Sequence, residues 1–497
     1  MGMRFTGRLT VVWFTAVVAP FAILDCTGSE RAGSGGAHQE AVGELYQVLR
    51  APPVTDPIPA APTTALPVAS PPAPSIVFVV MDTVRADHLS LCGYERPTSP
   101  TLESLRARGA AVSCDAYAPS DWTMPSHASY FTGLLPTEHG ANYASHAEVA
   151  GHRATVAHGL KVTPMRADVP TLAGQLAADG YQTVMVAANP ILGGASGLSR
   201  GFQVVRTRPK GTDRRKDWVT PALKQTLATD VDPKRPLFLM VNLVAAHDPW
   251  GAPPSGVPWR SAAVGPLDPV RFAHQVLAYW SGHLDPAKVP ALRRQYSALY
   301  DYGVWREDHQ LGVVLDTLEH AGWLGPGFRV VITSDHGEMV IEHGLWRHLF
   351  VYEGNIRVPL VVYESAAPPS LPAALPAIVS HDLVRTGRLP ATLPPIVTES
   401  IPNPDLRGIP RRFFRPAVSL HTGTGKLVWM DDHYYRFDLA TDPGEMSPHP
   451  LDATDPGRSE LARYATRVAA GGKPHALAPG DDAELRKQLE SLGYLHR

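Results

Sequence analysis

Asp335-His336-Gly337-Glu338 puts a carboxylate and an imidazole side by side, two side chains that bind divalent cations, with a glycine that lets backbone approach closely. A second carboxylate, Asp82, closes a continuous apolar run, and His247 stands a few residues beyond another. Thr123-Met-Pro-Ser-His127 is the third element. Pro125 suits the first turn of a helix running to Gly133, which leaves Thr123 just ahead of that helix, where free amides and the dipole favour an anion. A threonine hydroxyl becomes a nucleophile when a base or a metal removes its proton, and a divalent cation also polarises an ester. Plainer readings stand beside these. An Asp-His pair after a strand also serves as a cap and surface turn, and a threonine at a helix start also serves as an N-cap.

Such chemistry needs rigid elements behind it. Residues 76–81, IVFVVM, are too few for a helix and suit a strand buried on both faces. Residues 181–188, 237–243 and 329–334 read the same way. Residues 100–108 read as a helix begun by Ser99-Pro100 and stopped by Gly109, and 170–179 as a second closed by Gly180. A long helix over 290–322 carries apolar spacing through Leu292, Tyr296, Leu299, Leu311, Leu315 and Leu318. This alternation predicts an α/β fold, a mostly parallel central sheet with helices on both faces. Ligands in such sheets bind beyond the carboxyl ends of the strands. Asp82, His247 and the Asp335-His336 pair all follow strand ends, so three of those ends carry acidic or imidazole groups.

The chain has 497 residues, 44% hydrophobic and 19% charged, which excludes a wholly disordered or fibrous protein. Forty-five basic against 47 acidic side chains leave a net charge of −2, so no global field recruits nucleic acid and an anion must be caught locally. Arg206, Arg208, Lys210, Arg214, Arg215 and Lys216 form a basic loop, either a hold for an anionic substrate or a solvated loop. Three cysteines, Cys26, Cys92 and Cys114, exclude a disulfide framework and any four-thiolate metal site. Cys92 and Cys114 either pair in an oxidising compartment or are two buried thiols.

Residues 1–26 carry Arg4 and Arg8 and then an uncharged stretch from Leu9 to Leu24, the layout of a secretory signal and shorter than the roughly twenty residues of a spanning helix. Cys26 follows in Ile-Leu-Asp-Cys, similar to a bacterial lipoprotein box, so a membrane tether through Cys26 stands beside simple cleavage. Both readings put the mature protein outside the cytoplasm, periplasmic or extracellular. Residues 27–74 turn Gly/Ser-rich and then Pro-rich, an extended linker. A catalytic domain is expected over 75–410, its last part from 366 read as proline-rich loops. A C-terminal α+β subdomain is expected over 411–497, with short strands at 415–420, 426–430 and 434–439 and helices at 459–469 and 482–492.

With these groups in this order, the sequence resembles the sulfatase branch of the alkaline-phosphatase superfamily from residue 75 to about 443. The blocks 76–87, 122–140, 237–249, 300–312, 330–338 and 348–359 carry the resemblance. It implies a metal-bound nucleophile at a helix start and a small antiparallel sheet at the C-terminal end. Asp82 falls on the first metal carboxylate, Asp335 and His336 on the second carboxylate and its neighbouring ligand, and Thr123 on the nucleophile. His247 and His348 fall on side chains that contact the transferred group or the leaving group, as donors to its oxygens or as general acid. His127 falls where the family carries arginine and is a candidate substrate contact.

The departures direct the chemistry. Usual sulfatases start from Cys-x-Pro-x-Arg or Ser-x-Pro-x-Arg and convert the first residue to formylglycine; Thr123 is not a substrate for that conversion, and Asp82-Thr83 replaces a paired aspartate. A plain alkoxide attacking a phosphorus ester gives a phosphothreonine intermediate, so the resemblance to threonine-dependent phosphodiesterases and glycerophosphate transferases is closer in chemistry. Two-metal members carry Asp-x-x-x-His where this chain has Leu243 four residues before His247, so one divalent ion is expected. Three oxygens and one nitrogen from Asp82, Asp335, Thr123 and His336 favour Mn²⁺ or Zn²⁺ over Ca²⁺. The expected function is an exported, metal-dependent hydrolase or transferase acting on phosphate, phosphonate or sulfate esters of a small molecule, glycan or lipid headgroup. The alternatives are a sulfuric ester hydrolase working without formylglycine and a non-catalytic member that binds an anion or glycan.

Overall fold

The computed structural model describes residues 73–144, 155–157, 160–209, 212–213, 215–248, 284–348, 350–402, 415–423 and 425–471, together with 66, 68, 69, 71, 250, 257, 275, 278 and 279. The signal-like segment at 1–26, most of the linker and the helix expected at 482–492 lie outside the described residues.

Along the chain, β1 (Ile76–Met81) is followed by α1 (Pro100–Ala107), β2 (Ala111–Tyr117) and α2 (Thr123–Thr132). A small sheet of β3 (Asn142–Tyr143), β4 (Thr155–Ala157) and β5 (Leu160–Thr163) precedes α3 (Leu172–Ala178), β6 (Gln182–Ala187), β7 (Val204–Thr207), α4 (Val219–Thr229) and β8 (Leu237–Leu243). The 32-residue α5 (Val289–His320) leads to β9 (Arg329–Ser334), then to a hairpin of β10 (Met339–Val340) and β11 (Trp346–Arg347). β12 (Arg357–Glu364), β13 (Ala374–Pro376) and α6 (Ser380–Thr386) come next. The chain then forms β14 (Ile396–Ser400), β15 (Ala417–Thr422), β16 (Gly425–Met430), β17 (His433–Asp438), β18 (His449–Pro450) and α7 (Pro456–Ala469).

Eight strands make the main sheet, in the order β13-β2-β12-β9-β1-β8-β6-β7. Only β12 runs against the rest, pairing antiparallel with both β2 and β9. This is the mostly parallel α/β sheet that the apolar runs predict. Its central strands split their side chains between two cores. Val77, Val79 and Met81 of β1 pack with α1, α4 and α5 on one face, and Ile76, Phe78 and Val80 pack with α2, α3 and α6 on the other. Each fully buried side chain of this size contributes roughly 1.5–3 kcal/mol, and a one-residue slip would exchange the two sets, so packing fixes the register that aligns the strand ends.

α5 braces the segment after β1. Asp308 accepts from the backbone N–H of Thr101 at 2.7 Å and of Leu102 at 3.0 Å, capping α1. Tyr300 donates to the carbonyl of Thr83 at 2.6 Å and accepts from the N–H of Arg85 at 2.9 Å. Asp301 accepts from Tyr94 at 2.9 Å and also pairs with His88 and Arg96.

The region read as proline-rich loops contains β13, α6 and β14. β13 is an edge strand ending in Pro376, a place where a missing N–H disturbs no ladder, so proline density concealed real structure. β14 pairs antiparallel with β15 and opens the five-stranded sheet β14-β15-β16-β17-β18, which therefore starts ahead of residue 411. α7 covers this sheet through Leu461, Ala465 and Val468.

Cys92 and Cys114 are bonded, which decides between pairing and two thiols and ties the segment after β1 to β2. In the basic loop Arg206 pairs with Asp230 at 2.7 Å, Arg215 pairs with Asp213 at 2.9 Å and Arg208 is buried; Lys210 and Arg214 lie outside the described residues. Among the described residues no helix is long and apolar enough to cross a membrane.

Candidate active site

β9, β1, β8 and β6 are neighbours, and the chain leaving each of them carries a polar group: Asp335 and His336, Asp82, His247, and Asn189. Asp82, Asp335 and His336 are fully buried. Each carboxylate has one oxygen engaged and one without a hydrogen bond. Asp335 Oδ1 accepts from the N–H of Thr83 at 3.1 Å and of His336 at 3.0 Å, and Asp82 Oδ2 accepts from Asn189 Nδ2 at 2.9 Å. Asp335 Oδ2 and Asp82 Oδ1 are orphaned among the described residues and lie 3.6 and 4.0 Å from His336 Nε2. The other ring nitrogen, His336 Nδ1, donates to the carbonyl of Gly337 at 2.9 Å, which leaves Nε2 as the lone-pair atom.

The three candidate ligand atoms lie within 4.8 Å of one another. Two buried carboxylates with orphaned oxygens are costly unless a positive charge compensates them. Burial alone pushes Asp335 up to about 7, and burial together with nearby His348 pushes His336 down to about 3. A divalent cation reverses both effects, and two oxygens with one imidazole are a donor set that such ions accept. The residues fit the metal that the sequence implies.

Gly337 permits the turn that presents these groups. Its N–H donates to the carbonyl of Asn355 at 2.6 Å, and a Cβ there would stand 2.3 Å from the carbonyl oxygen of Gly354.

Thr123 is the first residue of α2. The capping position belongs to Trp122, in extended conformation and with no side-chain cap. The Thr123 hydroxyl is thus not used as an N-cap, and it lies 3.3 Å from His336 Nε2. His127, one turn along, is fully buried. Its Nδ1 donates to the carbonyl of Thr123 at 2.8 Å and lies 3.5 Å from Asp335 Oδ2, while its Nε2 has no partner among the described residues. Burial pushes this ring down to about 4, so it is neutral near pH 7.

His247 and His348 stand at a more open edge, each side chain 16% exposed, with ring centroids 5.7 Å apart. His348 also lies 4.6 Å, centroid to centroid, from His336. His247 Nδ1 donates to the carbonyl of Asp248 at 2.7 Å, and Glu307 of α5 accepts from the N–H of Ala246 at 2.6 Å, which anchors the turn. Glu338 is buried with neither carboxyl oxygen hydrogen-bonded among the described residues, 3.8 Å from His348 Nδ1, and is pushed up to about 7 by burial and by Asp248. All of the site residues named from the sequence therefore converge. Asn189, Asp248, Glu307 and Arg347 were not singled out there. The strand-end rule would have found Asn189, directly after the apolar run 181–188; nothing in the sequence marks Arg347.

The sulfatase family model matches residues 74–387, from the entry into β1 to just beyond α6. The chain belongs to the sulfatase family. That match spans every candidate site residue and makes the protein a sulfatase-like ester hydrolase, in a family whose members depend on metal. The chain is 22% identical over 465 residues to arylsulfatase K of Xenopus laevis, covering 79% of this chain and 77% of that one. It is 27% identical to choline-sulfatase of Rhizobium meliloti over 250 residues, 44% of this chain and 47% of the other. Among solved structures, phosphonate monoester hydrolase of Agrobacterium radiobacter superposes with a TM-score of 0.56 at 17% identity, covering 81% of this chain and 97% of the hydrolase. BT4656 in complex with D-glucosamine-2-N,6-O-disulfate gives 0.55 at 17% identity over 81% and 99%. At these identities the superpositions show a common fold.

Proposed function

We propose that this protein is an exported, one-metal hydrolase or transferase of phosphorus esters, phosphate diesters or phosphonates, in which Thr123 is the nucleophile. The observation that carries the reading is the Thr123 hydroxyl, uncapped at the start of α2 and 3.3 Å from His336 Nε2. A divalent cation held by Asp82, Asp335, His336 and Thr123 would acidify that hydroxyl and offset charge on the ester oxygens. The donor set of three oxygens and one nitrogen favours Mn²⁺ or Zn²⁺ over Ca²⁺.

Thr123 Oγ1, its proton already lost to solvent, attacks the phosphorus in line and displaces the alcohol, forming a phosphothreonine ester as the bond to the leaving oxygen breaks. His247, at the open edge, gives its proton to the departing oxygen, and His348, which burial and nearby His247 push down to about 3 and so hold neutral, lies beside it as a contact to the ester oxygens. The His247 imidazole then takes a proton from water or an acceptor alcohol, whose oxygen attacks the phosphorus and frees Thr123. His127, neutral and bonded to the Thr123 carbonyl, holds the nucleophile's turn against Asp335.

Two features support the choice of threonine chemistry and of export. Cys92 and Cys114 are consumed in a disulfide, which suits an oxidising compartment, and neither stands at a helix start where a formylglycine precursor is needed. The charged and then uncharged N-terminal stretch suits a secretory signal, with Cys26 available for a lipid. A second reading, sulfate ester hydrolysis through the same threonine, is favoured by the relatives named arylsulfatase K and choline-sulfatase.

The test compares nitrophenyl phosphate, bis-nitrophenyl phosphate, nitrophenyl phenylphosphonate and nitrophenyl sulfate, with Mn²⁺, Zn²⁺ or Ca²⁺ added, beside Thr123→Ala. Faster turnover of the diester or phosphonate is expected, with the variant inactive. Dominant sulfate turnover would select the second reading, and a fully active variant would remove Thr123 from its role.

A further inference from the structure

We infer that Asp248 and Arg347 form a clamp that sets His247 and His348 against each other, and that the pair acts as positioning residues for the departing side of the reaction. The inference rests on the histidine roles proposed above. Asp248 follows His247 directly, and Arg347 directly precedes His348. The two segments are 99 residues apart, one in the turn after β8 and the other closing the β10–β11 hairpin. Arg347 joins them: its Nη2 donates to Asp248 Oδ2 at 2.7 Å and its Nε to the same oxygen at 3.1 Å. Asp248 is buried, and its other oxygen lies 3.1 Å from His247 Nδ1, so one carboxylate addresses both the guanidinium and the imidazole.

Two further observations show that this contact is maintained against a cost. Arg347 has φ of +67°, a backbone conformation that side chains other than glycine and asparagine rarely adopt. The hairpin that carries His348 has only two residue pairs, Met339 with Arg347 and Val340 with Trp346, too few to fix a ring by itself. On the opposite side, Glu307 pins Ala246 from α5, so the His247 turn is held firmly and the ion pair transmits that position to His348. Asp248 is buried and Arg347 is partly covered, its side chain 29% exposed, which limits screening of the pair by salt.

The test uses leaving-group dependence, which general loosening of the fold does not alter. Arg347→Gly removes the guanidinium and suits the positive φ, so the backbone is not disturbed, and Asp248→Asn removes the charge from the other side. Kinetics are measured on nitrophenyl and unsubstituted phenyl esters of whichever acid the wild-type protein turns over. With the clamp broken, kcat on the phenyl ester should fall by roughly 10- to 100-fold, while KM and nitrophenyl-ester kcat change by less than about threefold, because a poor leaving group needs the positioned proton donor more. Arg347→Lys, which keeps the charge but not the paired donors, should recover part of the loss. Equal losses on both esters, or none, would overturn the clamp. Thr123→Ala assayed in parallel separates this from the nucleophile: if that variant keeps full turnover, the reading of the reaction fails whatever the clamp variants do.

Discussion

Asn189 Nδ2 donates to Asp82 Oδ2 at 2.9 Å, and the backbone N–H of Asn189 is itself held by Asn242 Oδ1 at 2.8 Å. Two asparagines from neighbouring strands thus orient the first carboxylate so that its free oxygen faces His336. Partners of this kind commonly tune metal affinity by about 10- to 100-fold. Asn189→Ala should weaken binding of Mn²⁺ or Zn²⁺ by about that factor with the fold intact, as read by calorimetric titration of metal-stripped protein. Unchanged affinity would mean that the sheet alone orients Asp82.

Removing the cation should lower stability, because Asp82 and Asp335 would then face each other's site with orphaned oxygens. A ligand present at a hundred times its dissociation constant stabilises by about 2.7 kcal/mol. Excess chelator should therefore lower the melting temperature by several degrees, and re-added metal should restore it. In Asp335→Asn the chelator should have little further effect.

Lys426 is fully buried in the five-stranded sheet, with its Nζ 3.1 Å from Glu353 and 2.6 Å from Glu445. Glu445 also accepts from the N–H of Glu353 at 2.7 Å, at the start of the turn whose Asn355 carbonyl receives Gly337 N–H. Lys426→Met strands the buried Glu445 and leaves the partly buried Glu353 with His421, 2.9 Å away, and should cost about 3–5 kcal/mol in chemical denaturation. Adding Glu353→Gln and Glu445→Gln should return much of that loss. If the single variant costs under about 1 kcal/mol, the cluster is not a structural pin.

Glu399 in β14 is buried and accepts from Thr137 N–H at 2.8 Å and Thr137 Oγ1 at 2.9 Å. Burial pushes its carboxyl up from 4.5 to about 7. The folded protein therefore holds this proton more tightly than the unfolded chain does. Its contribution is complete below about pH 4.5, is lost as pH rises through about 7, and is constant above that. Glu399→Gln should flatten this part of the stability profile, gaining on the order of 2 kcal/mol over wild type between pH 5 and pH 7.5. Parallel profiles for the two proteins, from denaturation at several pH values, would contradict this.

Much of the frame was legible because its central strands are continuous apolar runs. Residues 76–81, 237–243 and 329–334 are strands with those same limits, since strands buried on both faces admit few polar residues. Edge elements were harder to read. β13 contains a proline, and β3, β4 and β5 are two to four residues long, too short to show a period. The cation ligands were legible because strand ends are short tethers. Arg347 was not, because its role depends on a left-handed backbone and on a partner 99 residues away, neither of which leaves a local pattern. The bond between Cys92 and Cys114 likewise depends on a separation that only the folded chain defines.

Asp335, Asp82, His247 and Asn189 each hang from a different strand of the row β9-β1-β8-β6, by a tether of a few residues. On such a scaffold the backbone of each tether is anchored by its own strand, and the one hydrogen bond described between these four side chains joins Asn189 to Asp82. Thr123 sits apart from that row, on the first turn of a helix. A lineage can therefore exchange the attacking group or rebuild the long stretch between β8 and α5 while the cation seat stays put, so one ancestral frame can be carried from one ester chemistry to another in small heritable steps.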